Sequence, residues 1–488
     1  MHAHHLSRTT RCTILLIVAS ALITVEARSP GGNWPQFRGP GGSGVVERSG
    51  LPLQWSDRDN IAWAKEIPGR GWSSPIIWND RLYVTTAVSG GTFRPPQTGI
   101  FGNDEVDRLM KSEGLSREQA TKRVLARDIE PPNETAGVRY LLLALDVATG
   151  RVVWEREAHK GPPFRGRHRK NTYASETPVT DGERIYASFG GNVGLFCYEK
   201  SGKLLWSKQW PPQPMFQDFG TASSPVVHRG RVYVLHDNEG ASFLAAFEAK
   251  TGREAWTVKR THGDGGKSGW ATPFVWENDL RTEIVTVGRR HVVSYSLEGR
   301  ELWRLAGFTQ ATPSPVSDSG LLYVGSGSQG ETNRPMFAVR PGASGDISLR
   351  ADQASSAYVV WFHPRASAYT SSPLVYRGRM YVVNDNGILT VLDASSGKEI
   401  YKARIGGGGN TFSSSPWAYD GKVFFLSEDG DTFVLAAGDE YKELAKNPLA
   451  EMSLATPAIG ADSVFIRTAT RLYRIRQRPA STPRASPR

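Results

Sequence analysis

The fold is decided by a short motif, Ala144-Leu145-Asp146-Val147-Ala148-Thr149-Gly150-Arg151-Val152-Val153-Trp154. An alternating apolar segment leads to a Thr-Gly pair, and a second segment that ends in tryptophan follows. Glycine supplies the positive φ that a hairpin turn needs, so the motif predicts two antiparallel strands joined by a tight turn. The same frame recurs at residues 246–256, in looser form at 198–206 and 294–303, and without its tryptophan at 391–401.

A second motif marks the beginning of each repeat, where a Ser or Thr precedes proline. It occurs at Ser74-Pro75, Thr177-Pro178, Ser224-Pro225, Thr272-Pro273, Thr312-Pro313, Ser372-Pro373, Ser415-Pro416 and Thr456-Pro457. Proline is tolerated at the first residue of a strand because no interior ladder bond is lost there. Most copies lead into a strand such as Arg81-Leu82-Tyr83. Each repeat therefore predicts four short strands, the size of one propeller blade.

We predict an all-β protein, a single eight-bladed β-propeller with four-stranded blades over residues 60–476; seven blades is the alternative count. The last repeat lacks a fourth strand, because residues 471–475 lead directly into a polar tail. Residues 60–67 resemble the closing strand of the other blades. We expect this N-terminal strand to complete the last blade and remove free sheet edges. Where the frame ends in tryptophan, this side chain is expected to wedge between neighbouring blades.

The two ends of the chain differ from the repeats. Residues 1–27 combine a basic start, a short apolar run and the ending Val25-Glu26-Ala27, which is typical of a secretory signal peptide; an uncleaved anchor is the alternative. Residues 28–59 form an N-terminal extension. The tail, residues 477–488, is rich in proline and arginine and is predicted to be disordered.

Two insertions interrupt the repeats. Residues 89–139 separate the second and third strands of the first blade, and a helix interrupted at Gly114 is expected over 103–127. This insertion is either a docking arm over one face or a loop packed on the side of the propeller. Residues 342–357 are rich in Ser, Ala and Asp and are predicted to form a mobile loop.

Composition limits the chemistry and the partners. The chain has 59 basic and 48 acidic residues, a formal charge of +11, and two cysteines. After signal-peptide cleavage only Cys197 remains, which excludes an intramolecular disulfide and a paired-cysteine metal site. The positive charge favours anionic neighbours, with simple solubility as the alternative. We expect an exported monomer, periplasmic or extracellular, that binds no nucleic acid.

The repeats resemble the tryptophan-docking motifs of pyrroloquinoline-quinone (PQQ)-dependent dehydrogenases and of the PQQ-like propellers related to BamB, the outer-membrane assembly lipoprotein. The resemblance covers residues 60–475, and Trp34-Pro35-Gln36-Phe37-Arg38-Gly39-Pro40 is similar to the opening of exported PQQ-like proteins. It implies the fold much more strongly than an activity. For the dehydrogenases it also implies an adjacent-cysteine disulfide, a calcium site and an aspartate base. This sequence has no cysteine pair, so we expect no catalytic residue, no metal and no cofactor.

Three groups of residues are candidates for binding. Glu176 is the one carboxylate beside a repeated proline and is a candidate cofactor or cation ligand; the alternative is that it bonds backbone amides. Arg165, Arg167, Arg169 and Lys170 form the densest basic cluster, either an anion site or a solvated loop. Aromatic residues precede six of the prolines and either form a binding face at the channel mouth or pack beneath loops: Trp72, Tyr173, Trp270, Phe308, Tyr369 and Phe412.

These features favour a non-catalytic, BamB-like scaffold that binds a protein partner in the cell envelope, with peripheral contact to a membrane surface as an option. The alternative function is a PQQ-dependent dehydrogenase that oxidises alcohols or sugars, with PQQ and calcium held above Glu176. A third is a glycan-binding propeller that uses the aromatic mouth.

Overall fold

Repeated four-stranded antiparallel sheets make up most of a computed structural model of the chain. The structure describes residues 32–47, 50–91, 94, 98–99, 103–132, 137–261, 266–328 and 332–477. The predicted signal peptide, residues 1–27, and residues 478–488 of the predicted disordered tail lie outside the described residues. The sheets are numbered as blades in chain order, and the strands of each blade are given in order from the channel outward.

The first four blades take their strands consecutively from the chain. They are blade 1 (Ile76–Trp78, Arg81–Ser89, Val138–Asp146, Val152–Gly161), blade 2 (Val179–Thr180, Arg184–Ser188, Leu195–Glu199, Leu204–Lys208), blade 3 (Val226–His228, Arg231–His236, Phe243–Glu248, Glu254–Lys259) and blade 4 (Phe274–Glu277, Thr282–Val287, His291–Tyr295, Glu301–Ala306).

The last four blades follow the same order, except that the outer strand of blade 8 comes from the N-terminal side. They are blade 5 (Val316–Asp318, Leu321–Gly325, Met336–Val339, Val359–His363), blade 6 (Leu374–Tyr376, Arg379–Val383, Ile388–Asp393, Glu399–Arg404), blade 7 (Trp417–Tyr419, Lys422–Leu426, Asp431–Ala436, Glu443–Pro448) and blade 8 (Ala458–Gly460, Ser463–Arg467, Arg471–Ile475, Ile61–Glu66). The eight-bladed propeller is confirmed.

The ring closes as the sequence predicted. Ile61–Glu66 pairs antiparallel with Arg471–Ile475, in a register that places Ala64 opposite Tyr473. Trp63 on this strand donates its indole N–H to the Val147 carbonyl of blade 1 at 2.9 Å. The first and last parts of the chain therefore share one blade, which docks on blade 1 as the other blades dock on their neighbours.

The closing tryptophans connect neighbouring blades in a repeated way. Trp154 of blade 1 donates its indole N–H to the Lys200 carbonyl at 2.9 Å, in the outer hairpin of blade 2. Gly202 in that hairpin has φ +84°, and a Cβ there would lie 2.8 Å from the Trp154 ring. Equivalent bonds of 2.9–3.1 Å join Trp63 to Val147, Trp206 to Ala249, Trp256 to Leu297, and Trp361 to Ala394. The glycine of the turn is needed because the indole lies directly against it.

A second set of bonds links the inner strands around the channel. Seven of the Ser or Thr residues that precede a repeated proline donate their backbone N–H to the hydroxyl of the equivalent residue in the next blade, at 2.9–3.2 Å. The residues linked in this way are Ser74, Thr177, Ser224, Thr272, Ser314, Ser372, Ser415 and Thr456. Blade 5 contributes Ser314-Pro315 to this ring, so the assignment of Thr312-Pro313 to the repeat was wrong. The sequence Thr-Pro-Ser-Pro offers two registers, and only the second precedes the strand Val316–Asp318.

The N-terminal extension crosses the propeller before it joins the ring. Trp34 exchanges two backbone hydrogen bonds with Ile77 of blade 1, both 2.8 Å. The chain then passes a short 3-10 turn, Pro40–Gly42, and Val45–Val46 pairs parallel with Trp417–Tyr419 of blade 7. Between these contacts, the Pro35 carbonyl accepts from the Thr180 N–H of blade 2 at 2.9 Å, and Arg38 donates to the Pro373 carbonyl beside blade 6 at 2.6 Å. Because blades 2 and 6 face each other in a ring of eight, the intervening segment spans the channel axis.

The insertion in blade 1 contains two helices, Asn103–Glu113 and Arg117–Asp128, which separate around Gly114. Ser116 begins the second helix with a reciprocal capping box to Gln119. Ile129–Glu130 then pairs with Arg167–His168 of the connection between blades 1 and 2. The predicted loop 342–357 contains a short strand, Gly345–Asp346, which pairs parallel with Trp303 and Arg304 of blade 4. Smaller elements are the helix Gly190–Val193 and the 3-10 turns Phe216–Asp218 and Ile405–Gly407.

Candidate functional site

The channel mouth holds a cavity of about 220 Å³, here called the mouth cavity. Its wall is formed by hydroxyls of the inner ring, from Ser74 through Thr456, and by residues that precede the repeated prolines. Phe37 of the N-terminal segment also lines it. Because the N-terminal segment spans the axis beneath the ring, the cavity is closed on that side and is not an open pore. A concave site on a symmetry axis with convergent polar groups is a common place for a ligand.

Three of the six predicted aromatic residues line the mouth cavity: Trp72, Trp270 and Tyr369. Trp72 and Trp270 each expose only 8% of their surface. Tyr173, Phe308 and Phe412 do not line the cavity. Phe308 lies 5.1 Å from Phe337 between ring centres, and Phe412 lies 6.1 Å from Phe433; both pairs of rings are tilted. The prediction missed Phe219, which lines the cavity and lies 6.2 Å from the Trp270 ring.

The predicted basic cluster forms ion pairs with the insertion and with blade 7. Arg169 lies 3.1 Å from Asp128, and Arg167 pairs with Glu130; all four side chains are almost completely buried. Lys170 reaches Glu428 at 2.6 Å, whereas Arg165 lies near the surface, 3.6 Å from Asp218. Each of the four cations thus has a carboxylate neighbour. Binding of an anion at this cluster remains a prediction, and the anion would have to compete with these carboxylates.

Burial has the largest effect on the pKa values of the side chains in this cluster. It raises the pKa of Asp128 above its usual range, although Arg169 and Arg127 act in the opposite direction, and it lowers the pKa of Arg169 to about 10. Burial and the adjacent cations lower the pKa of His168 to about 3, so this imidazole is neutral at pH 7. His168 therefore contributes a neutral ring to the wall of the mouth cavity.

Glu428 joins three parts of the molecule and was not found by sequence reasoning. Its side chain is fully buried and accepts hydrogen bonds from Lys170 Nζ at 2.6 Å, from the Ser413 hydroxyl at 2.5 Å and from the Gly99 N–H at 3.0 Å. Arg169 meanwhile donates to the carbonyls of residues 98 and 99 at 2.8 and 2.7 Å. These bonds fix the described part of the insertion to the mouth of the channel.

Glu176 does not line the mouth cavity. It is 1% exposed and lies between blades 2 and 3, where the Thr221 hydroxyl donates to it at 2.5 Å. Burial raises the pKa of Glu176 to about 7, and the Thr221 bond only partly offsets this effect. Its role as a cofactor ligand stays a prediction, but a group in the mouth cavity would not reach it without rearrangement of the wall.

The donor set around the mouth cavity does not fit a calcium-bound quinone. Calcium is bound by six to eight oxygens, usually with several carboxylates. Asp385, a carboxylate in the cavity wall, lies 3.1 Å from Arg334, and Glu428 is held by Lys170. Within the described ranges, no three His, Cys, Asp or Glu side chains gather as a metal site would require. Cys197 is buried and unpaired, and burial raises the pKa of its thiol to about 12.

None of the described helices is long and apolar enough to span a membrane.

Comparison with solved structures places this fold among known propellers. The quinohemoprotein alcohol dehydrogenase of Comamonas testosteroni aligns over 92% of this chain and 82% of its own, with TM-score 0.57 and 11% identity. The dehydrogenase ADHIIG of Pseudomonas putida HK5 aligns over 93% and 82%, with TM-score 0.52 and 13% identity. BamB of Moraxella catarrhalis aligns over 61% and 78%, with TM-score 0.42 and 14% identity. At these identities the likeness to the two dehydrogenases establishes the fold alone.

No curated protein matches the chain. A family model does match, the one described as outer membrane protein assembly factor BamB, over residues 139–362 and 288–478. These two overlapping matches cover well over half of the chain, and they fall on the repeats whose tryptophans and inner hydroxyls join the blades. The chain therefore belongs to the BamB family of PQQ-like β-propeller proteins.

Proposed function

We propose that this protein is an exported, non-catalytic propeller that binds a protein partner in the cell envelope, and that the partner docks on the helical insertion. The observation that carries the proposal is the rigid attachment of this insertion. Buried ion pairs join Asp128 to Arg169 and Glu130 to Arg167 at the rim of the channel. A surface held in one conformation loses little entropy when a partner binds.

The second helix, Arg117–Asp128, presents a suitable contact surface. An open groove runs along it, lined by Leu125, Ala126 and Ile129, with Lys122 and Glu118 at its edge. Apolar side chains with a charged border are typical of a protein contact. The opposite side of the helix is already occupied, since Ala120 and Val124 pack against Val106 and Leu109 of the first helix.

Export is part of the same proposal. It rests on the signal-like residues 1–27 and on membership of a family described as an outer membrane assembly factor.

The test uses a matched pair of surface variants. We expect Leu125→Lys combined with Ala126→Lys to abolish recovery of a specific partner from an envelope extract, while the fold, measured by circular dichroism, is unchanged. Leu280→Lys is the control, because Leu280 is 68% exposed on blade 4 and far from the insertion in sequence. Equal recovery with both variants, or no specific protein with the wild type, would contradict the proposal.

Dehydrogenase activity is the second candidate, supported by the fold of the quinohemoprotein enzymes and by the aromatic wall of the mouth cavity. Titration with PQQ and calcium, followed by dye reduction with alcohols and sugars, tests it. Tight binding with turnover would replace the scaffold proposal, and the same experiment would bring Glu176 back as a candidate ligand.

Glycan binding at the mouth cavity, the third candidate function, has less support. Sugar stacking needs open aromatic faces, and Trp72 and Trp270 expose 8% each. Quenching of tryptophan fluorescence by oligosaccharides, absent after Trp270→Ala, would revive it.

A further inference from the structure

Two adjacent blades differ from the others at the position that begins the outer strand. In every blade this position lies two residues before the closing tryptophan or its equivalent, beside a β-bulge. Blades 3, 4, 6 and 7 have an exposed glutamate there, namely Glu254, Glu301, Glu399 and Glu443. Blades 1 and 2 instead have Val152 and Leu204.

The apolar side chains that begin these two strands are exposed to solvent. They expose between 36 and 48% of their surface and are here called the outer patch: Val152, Val153, Leu204 and Leu205. The apolar residue at the same position is covered in blades 5 and 8, since Val359 is fully buried and Ile61 packs against the core. Only blades 1 and 2 therefore leave an aliphatic side chain exposed at this position.

The two pairs of aliphatic residues form one surface across the contact between blades 1 and 2. Trp154, which follows the pair of blade 1, donates its indole N–H to the Lys200 carbonyl at 2.9 Å. Arg156 Nε donates to the Gly202 carbonyl at 2.6 Å. Both carbonyls lie in the turn that leads directly to Leu204. Contiguous exposed apolar side chains of this kind mark a contact with a partner or a membrane.

Exposed cations border the outer patch. Arg151 precedes the pair of blade 1, Lys203 precedes the pair of blade 2, and Lys200 lies in the same turn as Lys203. Lys65 on the closing strand of blade 8 reaches the turn of blade 1, where a Cβ on Gly150 would lie 2.7 Å from its Cγ. Among the described residues, no carboxylate lies within ion-pair distance of these four side chains.

The carboxylates of the same two turns are bound by neighbouring hydroxyls. Asp146 accepts from the N–H and the hydroxyl of Thr149 at 2.8 and 2.7 Å. Glu199 accepts from the Ser201 hydroxyl at 3.1 Å. Each turn thus holds its own carboxylate within the turn, whereas its lysine or arginine extends to solvent beside the aliphatic side chains.

The combination of aliphatic side chains and lysines indicates the kind of partner. Protein interfaces are enriched in aromatic side chains and arginine and depleted in lysine. The outer patch contains no aromatic residue, and three of its four bordering cations are lysines. Lysine beside leucine is typical of a surface that lies on anionic lipid, where aliphatic chains enter the headgroup boundary. We propose that the outer patch docks the protein on an anionic phospholipid surface.

The position of the outer patch is compatible with the partner site proposed above. The first strand of each blade begins at the mouth of the channel, because the residues before the repeated prolines line the mouth cavity. Since the strands alternate in direction, the turn before the outer strand lies at the opposite end, and the insertion of blade 1 lies at the mouth end. A membrane at the outer patch therefore leaves the insertion accessible. Membrane docking goes beyond that proposal and does not depend on it.

The test measures how the mature protein co-sediments with lipid vesicles. Vesicles of phosphatidylcholine mixed with phosphatidylglycerol supply the anionic surface, and vesicles of phosphatidylcholine alone are the neutral control. We expect binding to the anionic vesicles only. Binding should weaken as the salt concentration rises, because exposed charges are screened.

Two double variants separate the charged part of the surface from the apolar part. Lys200→Glu with Lys203→Glu should weaken binding at least about 30-fold, because each lysine near an anionic surface contributes about fivefold. Leu204→Ser with Leu205→Ser should weaken it at least about tenfold, because the apolar contact with the headgroup boundary is lost. Circular dichroism and Tm should not change, since all four side chains are exposed.

Matched variants on other blades are the controls. Lys250→Glu with Arg253→Glu changes the corresponding turn of blade 3, and Leu444→Ser removes a 37% exposed leucine from the outer strand of blade 7. Both should bind the anionic vesicles as the wild type does. The variant with Leu125→Lys and Ala126→Lys should also bind them, so that loss of the protein partner and loss of membrane docking are distinguishable.

A fluorescent label distinguishes docking through the outer patch from general adsorption of a basic protein. An environment-sensitive dye is attached at Val153→Cys, with Leu444→Cys as the control; Cys197 is buried and does not compete for the dye. We expect a blue shift on anionic vesicles at Val153→Cys only. Absence of vesicle binding, an equal loss in patch and control variants, or the same response at both labels would overturn the proposal. Capture of an envelope protein that requires Leu204 and Leu205, without vesicle binding, would overturn it in favour of a protein contact.

Discussion

The contact between blades 1 and 2 and the contact between blades 4 and 5 both involve the closing tryptophan of the first blade, but the indole N–H has a different acceptor in each. Trp154 in the first donates its indole N–H to a carbonyl of the next blade, over a glycine turn. Trp303 in the second is fully buried and donates instead to Glu283 of its own blade, at 2.6 Å. The difference lies in the following blade, where residues 342–357 replace the short Thr-Gly turn.

Glu283 compensates for the missing turn. It is fully buried and also accepts from the Ser294 hydroxyl at 2.5 Å and from Arg281 Nε at 2.8 Å. Arg281 in turn donates to the Ala343 carbonyl of the insertion at 2.5 Å. A tryptophan in the repeat thus secures its blade either through the next blade's turn or through a buried carboxylate that is linked to that blade by an arginine.

The largest expected effect comes from removing that carboxylate. Glu283→Ala leaves the donors of Trp303, Ser294 and Arg281 without their acceptor, two of them in the core. Breaking a buried charged network usually costs 3–5 kcal/mol, so we expect the free energy of unfolding in urea to fall by about 4 kcal/mol. Glu254→Ala, at an exposed site on blade 3, is the control and should change it by less than about 0.5 kcal/mol. Similar losses in both variants would remove the special role of Glu283.

Glu176 is a second buried glutamate, between blades 2 and 3. Substituting it tests whether every buried glutamate stabilises the ring as Glu283 does. The pKa of Glu176, about 7 in the folded protein, is above the usual 4.5, so the folded state holds a proton that the unfolded state loses. The stabilising contribution is therefore complete below about pH 4.5 and is lost as the pH rises to about 7 and beyond. By roughly 1.4 kcal/mol per pKa unit, the penalty at pH 8 is about 3 kcal/mol.

We accordingly expect Glu176→Gln to stabilise the protein at pH 8 by up to about 3 kcal/mol and to have little effect at pH 4, in urea unfolding at each pH. Ser223→Ala, at the position of blade 3 that corresponds to Glu176, provides a variant that does not titrate. A wild-type protein that gains stability from pH 4 to 8 relative to Glu176→Gln would contradict the assigned direction.

Two glycines with nearly the same φ test how closely the indole is held by the turn. Gly252, φ +68°, lies under the Trp206 ring, and a Cβ there would be 2.6 Å from it; Gly345, φ +70°, has nothing within 4 Å. Alanine costs about 1 kcal/mol of backbone strain at either site, and overpacking adds about 1–2 kcal/mol at Gly252. We expect losses of about 2–3 kcal/mol for Gly252→Ala and about 1 kcal/mol for Gly345→Ala in urea unfolding. Equal losses would mean that the indole is not tightly held by the turn.

The sequence predicted the parts of the fold that repeat. The frame ending at Trp154 and the closing strand with Trp63 follow local patterns, so these patterns predicted the closure and favoured eight blades over seven. The link between Trp303 and Glu283 could not, because it depends on an insertion without a repeat. Lys170 and Glu428 are 258 residues apart, and no local spacing brings them together. For the same reason, the aromatic positions predicted three of the mouth residues but not Phe219.

The smallest expected effect on the free energy of unfolding comes from removing one indole hydrogen bond at Trp154 or at Trp303. Phenylalanine keeps most of the buried ring and removes only the indole N–H. A bond to a neutral carbonyl contributes about 1 kcal/mol and a bond to a charged group about 2 kcal/mol. Trp154→Phe should therefore lower the free energy of unfolding by about 1 kcal/mol and Trp303→Phe by about 2 kcal/mol. The Trp303 effect should shrink in a Glu283→Gln background, where the acceptor is neutral, whereas the Trp154 effect should stay the same because Glu283 lies in another blade. If both effects shrink, the loss of Glu283 has loosened the whole ring, and the two contacts are not independent.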